Sequence, residues 1–231
     1  MKIAIFGTGS VGQALAGKLS QTGHSVLVGT RDVAATLARK DNDAFGNPPF
    51  SAWIGNHPEV RLLSNHDAAA AAELLVNCTL GNASIETLRS AGVENLNGKI
   101  LLDIANPLDF SQGFPPSLSV CNHTSLAEQI QQEFPQVKVV KSLNTMSAMI
   151  MVNPALIRGD HSVFLSGNDA DAKSTVSSIL KEFGWEERNI LDLGDITTAR
   201  GTEMLLPVWV RLYGTLQTPF FNFHINTAGN H

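Results

Sequence analysis

Basic residues are sparse in this chain and nowhere clustered. Lys and Arg number 16 against 21 Asp and Glu, for a net charge of −5. Nucleic-acid binding needs clustered cations to neutralise phosphates, so the chain does not read as a nucleic-acid partner. Long apolar runs are also missing. None reaches the roughly 18–20 residues that span a bilayer, which argues against a membrane partner. Cysteines number two. Cys78 lies inside the apolar run LLVNCTL and reads as a small buried hydrophobe, whereas Cys121 lies in a polar stretch. A disulfide framework is therefore not expected, and a reducing cytoplasm is the expected setting. The opening MKIAIFG has the Lys and apolar run of a signal peptide, but Gly7, Gly9 and Gly12 interrupt it and no small-residue cleavage site follows. No GxSxG elbow is present for a hydrolytic triad, and Cys121-Asn122-His123 offers two metal donors without further spaced partners. Charged residues make up 16% of the chain, which implies much covered surface, through a compact fold or a subunit partner.

What is present is a rhythm. Short β-branched runs alternate with Ala- and Leu-rich segments, the pattern of βαβ units around a parallel sheet. Strands are expected at residues 2–6, 25–29, 60–64, 74–80, 99–104, 137–142, 162–166 and 190–193. Helices are expected at 11–22, 32–40, 66–73, 84–91, 125–134, 170–183 and 198–216, the last containing Pro207. Residues 42–58 and 108–124 are rich in Gly, Pro and polar residues and read as loops. A composition change near residue 150 divides the chain into a Rossmann-type portion, 1–150, and a smaller one, 151–231. The fold class expected is α/β, a doubly wound parallel sheet with a small C-terminal α+β extension.

The sharpest local signal is Gly7-Thr8-Gly9-Ser10-Val11-Gly12, which follows a strand directly and opens an amphipathic helix. In that context Gly7 permits the tight turn, Gly9 lets backbone approach a pyrophosphate, and Gly12 lets helix pack on strand. The free N–H groups and partial positive charge of the helix start suit an anion. NAD-binding versions place a carboxylate about 20 residues past this loop to hold the ribose 2′-OH. Here the second strand ends in Gly29-Thr30-Arg31. A hydroxyl and a permanently charged planar fork suit a 2′-phosphate, which favours NADP(H). Arg39 or Lys40 adds charge from the following helix, and Asp32 either caps that helix or pairs with Arg31.

The strings MKIAIFGTGSVG, HSVLVGTRD, LLVNCTLG, ILLDIANPLD and VVKSLNTMSA occur in that order, followed by SVFLSGNDADAK and ARGTEMLLPVWVRL. Together they resemble the NADP oxidoreductases dependent on coenzyme F420, along the whole chain. The resemblance implies an N-terminal Rossmann domain and a small C-terminal domain with a deazaflavin cleft between them. The same family includes the cytosolic domains of membrane ferric reductases, which use a flavin such as FMN or FAD. By position it implies Thr8, Ser10 and Val11 around the pyrophosphate and Thr30 and Arg31 on the 2′-phosphate. It puts Thr79, Leu80 and Gly81 at the nicotinamide ribose. Asn106, Pro107, Asn144, Thr145 and Met146 fall near the nicotinamide and the second cofactor. The loops at 42–58 and 108–124, carrying Trp53, Phe110 and Phe114, are longer than those of the archaeal reductases and bear on the acceptor site.

The expected function is hydride transfer between NADPH and a small-molecule flavin-like or F420-like acceptor, with the protein supplying position. Two alternatives remain at this level. One is a reductase of a small imine or carbonyl compound, which usually carries a long helical C-terminal domain. The other is a module that senses NADP(H) without turnover. His123 is a candidate proton donor, the alternative being a solvated loop histidine. The apolar stretch 204–216 either closes the core of the C-terminal portion or supplies a homodimer face.

Overall fold

Twelve of the fifteen strands and helices expected from the sequence begin and end within two residues of their place in the computed structural model, which describes residues 1–42 and 46–228. The chain runs β1 (Lys2–Phe6), α1 (Ser10–Gln21), β2 (Ser25–Thr30), α2 (Val33–Ala38), α3 (Phe50–Ile54), β3 (Arg61–Ser64), α4 (Asn65–Ala71) and β4 (Leu74–Asn77). It continues through α5 (Gly81–Ala91), α6 (Val93–Leu96), β5 (Ile100–Asp103), β6 (Leu108–Asp109), β7 (Ser117–Leu118), α7 (Leu126–Glu133) and β8 (Lys138–Ser142). The last part is α8 (Ala148–Val152), β9 (Val163–Gly167), α9 (Ala170–Phe183), β10 (Ile190–Asp192), α10 (Ala199–Met204) and α11 (Leu206–Leu216).

The main sheet has eight strands in the order β10-β9-β8-β5-β4-β1-β2-β3. All neighbours pair in parallel except β8 and β9, where Val140 faces Gly167 and Ser142 faces Leu165. From β1 the chain moves outward one way to β2 and β3, then returns to lay β4, β5 and β8 on the other side. The topological switch therefore lies between β1 and β4, where open α/β sheets bind ligands outside the carboxyl ends of their strands. Strands β9 and β10 come from the portion after residue 150, so the sheet is continuous across that boundary.

Both faces of the sheet are covered, which is why β4 reads as an unbroken apolar run. On one face Ile3 and Ile5 meet Leu15 and Leu19 of α1, Ile150 of α8, and Val176 and Ile179 of α9. On the other, Ala4 and Phe6 meet Ala68 of α4, Leu88 of α5, and Leu126 and Ile130 of α7. Helix starts follow local chemistry. Asp32, Ser64, Ser125 and Asp169 each accept the N–H of the residue three positions on. No helix among the described residues is long and apolar enough to cross a membrane.

Three expectations change. The segment 42–58 is not all loop: α3 forms after Pro49, burying Phe50 and stacking Trp53 on His57 at 3.8 Å. Residues 43–45 of that segment lie outside the described residues. The segment 108–124 contains the antiparallel pair β6–β7, with Leu108 opposite Leu118. The single helix expected at 198–216 is two, α10 and α11, because Pro207 has no N–H to continue a helix and stands instead in the first turn of a new one.

One buried ion cluster ties the layers together. Lys141 of β8, Asp103 of β5 and Glu203 of α10 are all essentially inaccessible. Lys141 Nζ lies 2.8 Å from Asp103 Oδ2 and 2.8 Å from Glu203 Oε1, and it also donates to the carbonyl of Ala105. Burial by itself would lower the Lys141 pKa, but the two carboxylates outweigh it and raise it, so the ammonium stays charged. Glu203 accepts the N–H groups of Leu126 at 2.8 Å and Ala127 at 3.1 Å, at the positive start of α7. Removing one partner strands the others as uncompensated buried charge. Lys141→Met is expected to lower the unfolding free energy by about 3–5 kcal/mol in a urea titration, and an unchanged midpoint would show that the cluster contributes nothing to the fold.

Candidate functional site

The glycine loop after β1 divides into two roles. Gly7 has φ +121, a conformation that suits glycine, and a Cβ there would stand 2.6 Å from the Cys78 carbonyl oxygen at the end of β4. A Cβ on Gly12 would overlap the carbonyl oxygen of Gly7. These two glycines are required by packing of α1 against β1 and β4. Gly9 is different: a Cβ there would meet nothing within 4 Å among the described residues. Its bareness leaves room on the outer side of the loop, where an anion would approach.

Helix α1 leaves its first donors open. Its earliest intrahelical bond is Gln13 N–H to Gly9 O, 2.9 Å. Gly9 offers no side-chain cap and the first turn has no acidic residue. The N–H groups of Ser10, Val11 and Gly12 thus point out of the helix start without an intrahelical acceptor, beside the positive end of the helix dipole. Gln13 donates from its side chain to Thr8 O at 3.0 Å and braces the loop. This set of donors and the open side of Gly9 fit a diphosphate.

Beside the loop stands the tip of β2. Thr36 donates its hydroxyl to Asp32 O at 2.7 Å, so the 2.8 Å contact between Thr30 and Thr36 hydroxyls has Thr30 as donor. The Asp32 carboxylate accepts Ala35 N–H at 2.9 Å and caps α2. That resolves the alternatives for Asp32. Arg31 is left exposed and makes no ion pair among the described residues. A cleft of about 360 Å³ opens beside the loop, lined by Thr8, Gly9, Ser10 and Gln13 on one side and by Thr36, Arg39, Asp41, Pro49 and Phe50 on others; Thr30 and Arg31 are not among the residues that line it. Gln13, Thr36, Pro49 and Phe50 escaped the sequence reading. Only Thr36, one helical turn past the Asp32 cap, carried a local signal.

The second cluster lies across the switch point. Asn77, fully buried at the end of β4, accepts the Thr79 hydroxyl at 2.7 Å and the Thr79 N–H at 3.2 Å. Its amide donates to Ser84 at 3.0 Å and to Asp103 at 2.8 Å. Thr79 is thereby tied to the Lys141 cluster. Leu80 precedes α5, whose first residue is Gly81. A Cβ on Gly81 would stand 2.8 Å from Pro107 Cα, so the ends of β4 and β5 touch. Asn106 donates to Asn144 O and Asn144 donates to the Asn106 side-chain oxygen, both at 2.9 Å, joining the ends of β5 and β8. Leu143 turns the chain out of β8 at φ 62, a strained value for a branched side chain. Asn144, Thr145 and Met146 are buried, so they underlie this junction and do not stand open to solvent. His123 lies exposed beyond β7, without a side-chain bond to either cluster among the described residues. Burial, with the Asp103 carboxylate adding, pushes the pKa of the half-buried Cys78 thiol up, which disfavours the thiolate.

Strand order, switch point and open glycine cradle together define a Rossmann dinucleotide-binding protein. The model of the family described as NADP oxidoreductase coenzyme F420-dependent matches residues 2–107. A crystal structure of a candidate F420-dependent NADP reductase from Arthrobacter sp. FB24 is 58% identical, covers 98% of this chain and 100% of that one, and superposes with a TM-score of 0.92. The F420-dependent NADP reductase of Methanothermobacter marburgensis is 26% identical over 220 residues, 92% of each chain. Metalloreductase STEAP3 of Rattus norvegicus is 28% identical over 213 residues, which are 90% of this chain; the chain spans only 38% of that relative's length. The chain belongs to the family of coenzyme F420-dependent NADP oxidoreductases, and its class is NADP-dependent oxidoreductase.

The two kinds of glycine can be separated by experiment. Gly12→Ala is expected to lower stability by about 1–3 kcal/mol through overlap with Gly7. Gly9→Val is expected to leave the thermal midpoint in place while weakening NADPH and NADH together in calorimetric titrations; loss of stability there would remove the anion role. Arg31→Ala is expected to raise the NADPH dissociation constant about tenfold or more, the scale of a hydrogen bond to a charged group, with little change for NADH. Equal changes for the two dinucleotides would remove Arg31 from phosphate recognition.

Proposed function

We propose that the protein transfers hydride between NADPH and a flavin or deazaflavin ring such as F420. The observation that carries this reading is the placement of two chemically distinct clusters on one carboxyl edge of the sheet, on either side of the β1–β4 switch. One is the Gly9 and Arg39 cleft. The other is the Thr79, Asn106 and Asn144 junction.

In this reading the α1 N–H groups with Thr8, Ser10 and Val11 hold the diphosphate, and Thr30 with Arg31 holds the 2′-phosphate. Arg39, facing the cleft, adds positive charge. Thr79, its hydroxyl oriented by Asn77, receives the nicotinamide ribose together with Leu80 and Gly81. Asn106, Pro107 and the buried Asn144, Thr145 and Met146 form the support for the nicotinamide and the acceptor ring. Bound there, NADPH would supply a hydride from C4 and leave as NADP⁺, and the acceptor ring would take that hydride at N5 or the corresponding carbon with a proton from water at N1. The protein's part is to align the two rings and keep competing reactions out. Exposed His123 is the side-chain candidate for relaying that proton.

Residues 151–231 complete the acceptor cleft as a small second unit in this reading, since β9 runs antiparallel to β8 and starts beside the carboxyl end of β8. Helix α11 leaves Val208, Tyr213 and Leu216 exposed and is the surface for a second copy of the chain, in a cytoplasmic homodimer.

Mixing the protein anaerobically with NADPH labelled with deuterium at C4 and with F420 tests the reading directly. Nicotinamide absorbance is expected to fall, and the label is expected on the deazaflavin carbon. Oxidation without label on the ring would overturn direct transfer, and absence of oxidation with both F420 and FMN would overturn the acceptor class.

A further inference from the structure

Cations are distributed unevenly along the carboxyl edge of the sheet. The stretch after β2, residues 31–40, contains Arg31, Arg39 and Lys40. The stretches that leave β4, β5 and β8, residues 78–84, 104–124 and 143–152, contain no Lys or Arg. These three stretches are in mutual contact through Gly81 against Pro107 and through the reciprocal Asn106–Asn144 amide bonds. The C-terminal segment 217–228 also lacks Lys and Arg. It is anchored nearby, with Phe223 O accepting Ser162 N–H at 2.8 Å just before β9. Within the three stretches the one carboxylate is Asp109, which accepts Ser111 N–H at 2.8 Å and would repel an anion.

What these stretches do expose is apolar. Leu80 is 70% exposed, Phe114 63%, Met149 52% and Phe110 44%. Each follows the end of β4, β5 or β8. An acceptor held here gains contact area and aromatic stacking for a flat ring, but these stretches offer no Lys or Arg side chain to a phosphate or carboxylate tail.

Resting on the hydride-transfer reading, we infer that the acceptor is recognised as an uncharged planar ring, and that the anionic tail of FMN or F420 adds nothing to its binding. The site is polar for anions at its adenosine end and blind to them at its acceptor end. Specificity for one tailed cofactor over another then resides in ring shape alone.

The experiment compares kcat/KM for riboflavin, FMN, and F420 against its tail-free riboside, at saturating NADPH and at low and high salt. Taking ratios between tailed and tail-free acceptors cancels the salt sensitivity of NADPH itself. The expected ratios lie within about threefold of one, the scale of a weak surface ion pair, and do not move with salt. Met149→Lys, at an exposed position, is expected to raise FMN over riboflavin several-fold and to make that ratio fall with salt. A preference of about tenfold or more for the tailed forms in the unaltered protein, weakening with salt, would overturn the inference and reveal a cation reaching in, Arg158 or Arg211 among them. The hydride reading fails separately. If no flavin or deazaflavin reacts but an uncharged quinone does, the acceptor class falls and recognition of an uncharged ring stands; if only tailed acceptors react, the reverse holds.

Discussion

Close approach of backbone to backbone at the head of α1 is the constraint on which this molecule depends. The helix starts against β1 and the end of β4 because Gly7 and Gly12 carry no side chain. That contact puts three N–H donors without an intrahelical acceptor, and the positive end of a twelve-residue helix, at the topological switch of the sheet. Any bulk at Gly12 would lift the helix from the strand, and the donors would leave the edge where β2 and β4 present their own residues. Gly9 is not required by packing, since a Cβ there would meet nothing within 4 Å among the described residues.

Around that fixed point the carboxyl edge grades from charge to apolar surface. At β2 the Asp32 carboxylate is spent on capping α2, and Arg31 beside Thr30 makes no ion pair among the described residues. At β4 the Thr79 hydroxyl is held by Asn77, and through Asn77 by Asp103, Lys141 and Glu203. Buried polar groups are costly unless every member is satisfied, and this chain of contacts satisfies each from a different element. The same cluster therefore links the seating of a residue at the cofactor edge to the docking of α10 and the start of α7. Its cost is set by desolvation and its return is a defined geometry across three strands.

Family membership agrees with this physical picture at the level of fold, NADP and redox class. The matched region of the family model ends at residue 107, whereas the solved relative from Arthrobacter aligns over nearly the whole chain. The part shared with the family model holds the glycine cradle, the β2 tip and Asn106. The part beyond it holds Lys141, Asn144 and Glu203, which bond to Asp103, Asn106 and the start of α7.

Much of the fold was legible in the sequence because its causes are local. The glycine spacing, the period of Leu15 and Leu19, the capping residues Asp32, Ser64, Ser125 and Asp169, and the unbroken apolar run of β4 each act over a few residues. The nucleotide half of the candidate site was legible for the same reason, since Gly7 to Gly12 and Thr30-Arg31 are contiguous. Short elements were not legible. The five residues of α3 and the two-residue strands β6 and β7 hold too few periods to stand out among Gly and Pro, and the split at Pro207 was hidden inside one long apolar stripe. Tertiary structure alone decided that Asn77, Asp103, Lys141 and Glu203 meet, because they lie 26 to more than 60 positions apart on four elements and single lysines and carboxylates look like surface residues in a sequence. It also decided that Asn144 to Met146 are buried, and that Phe50 walls the cleft. Burial and pairing are properties of which elements pack together, and no residue carries that information by itself.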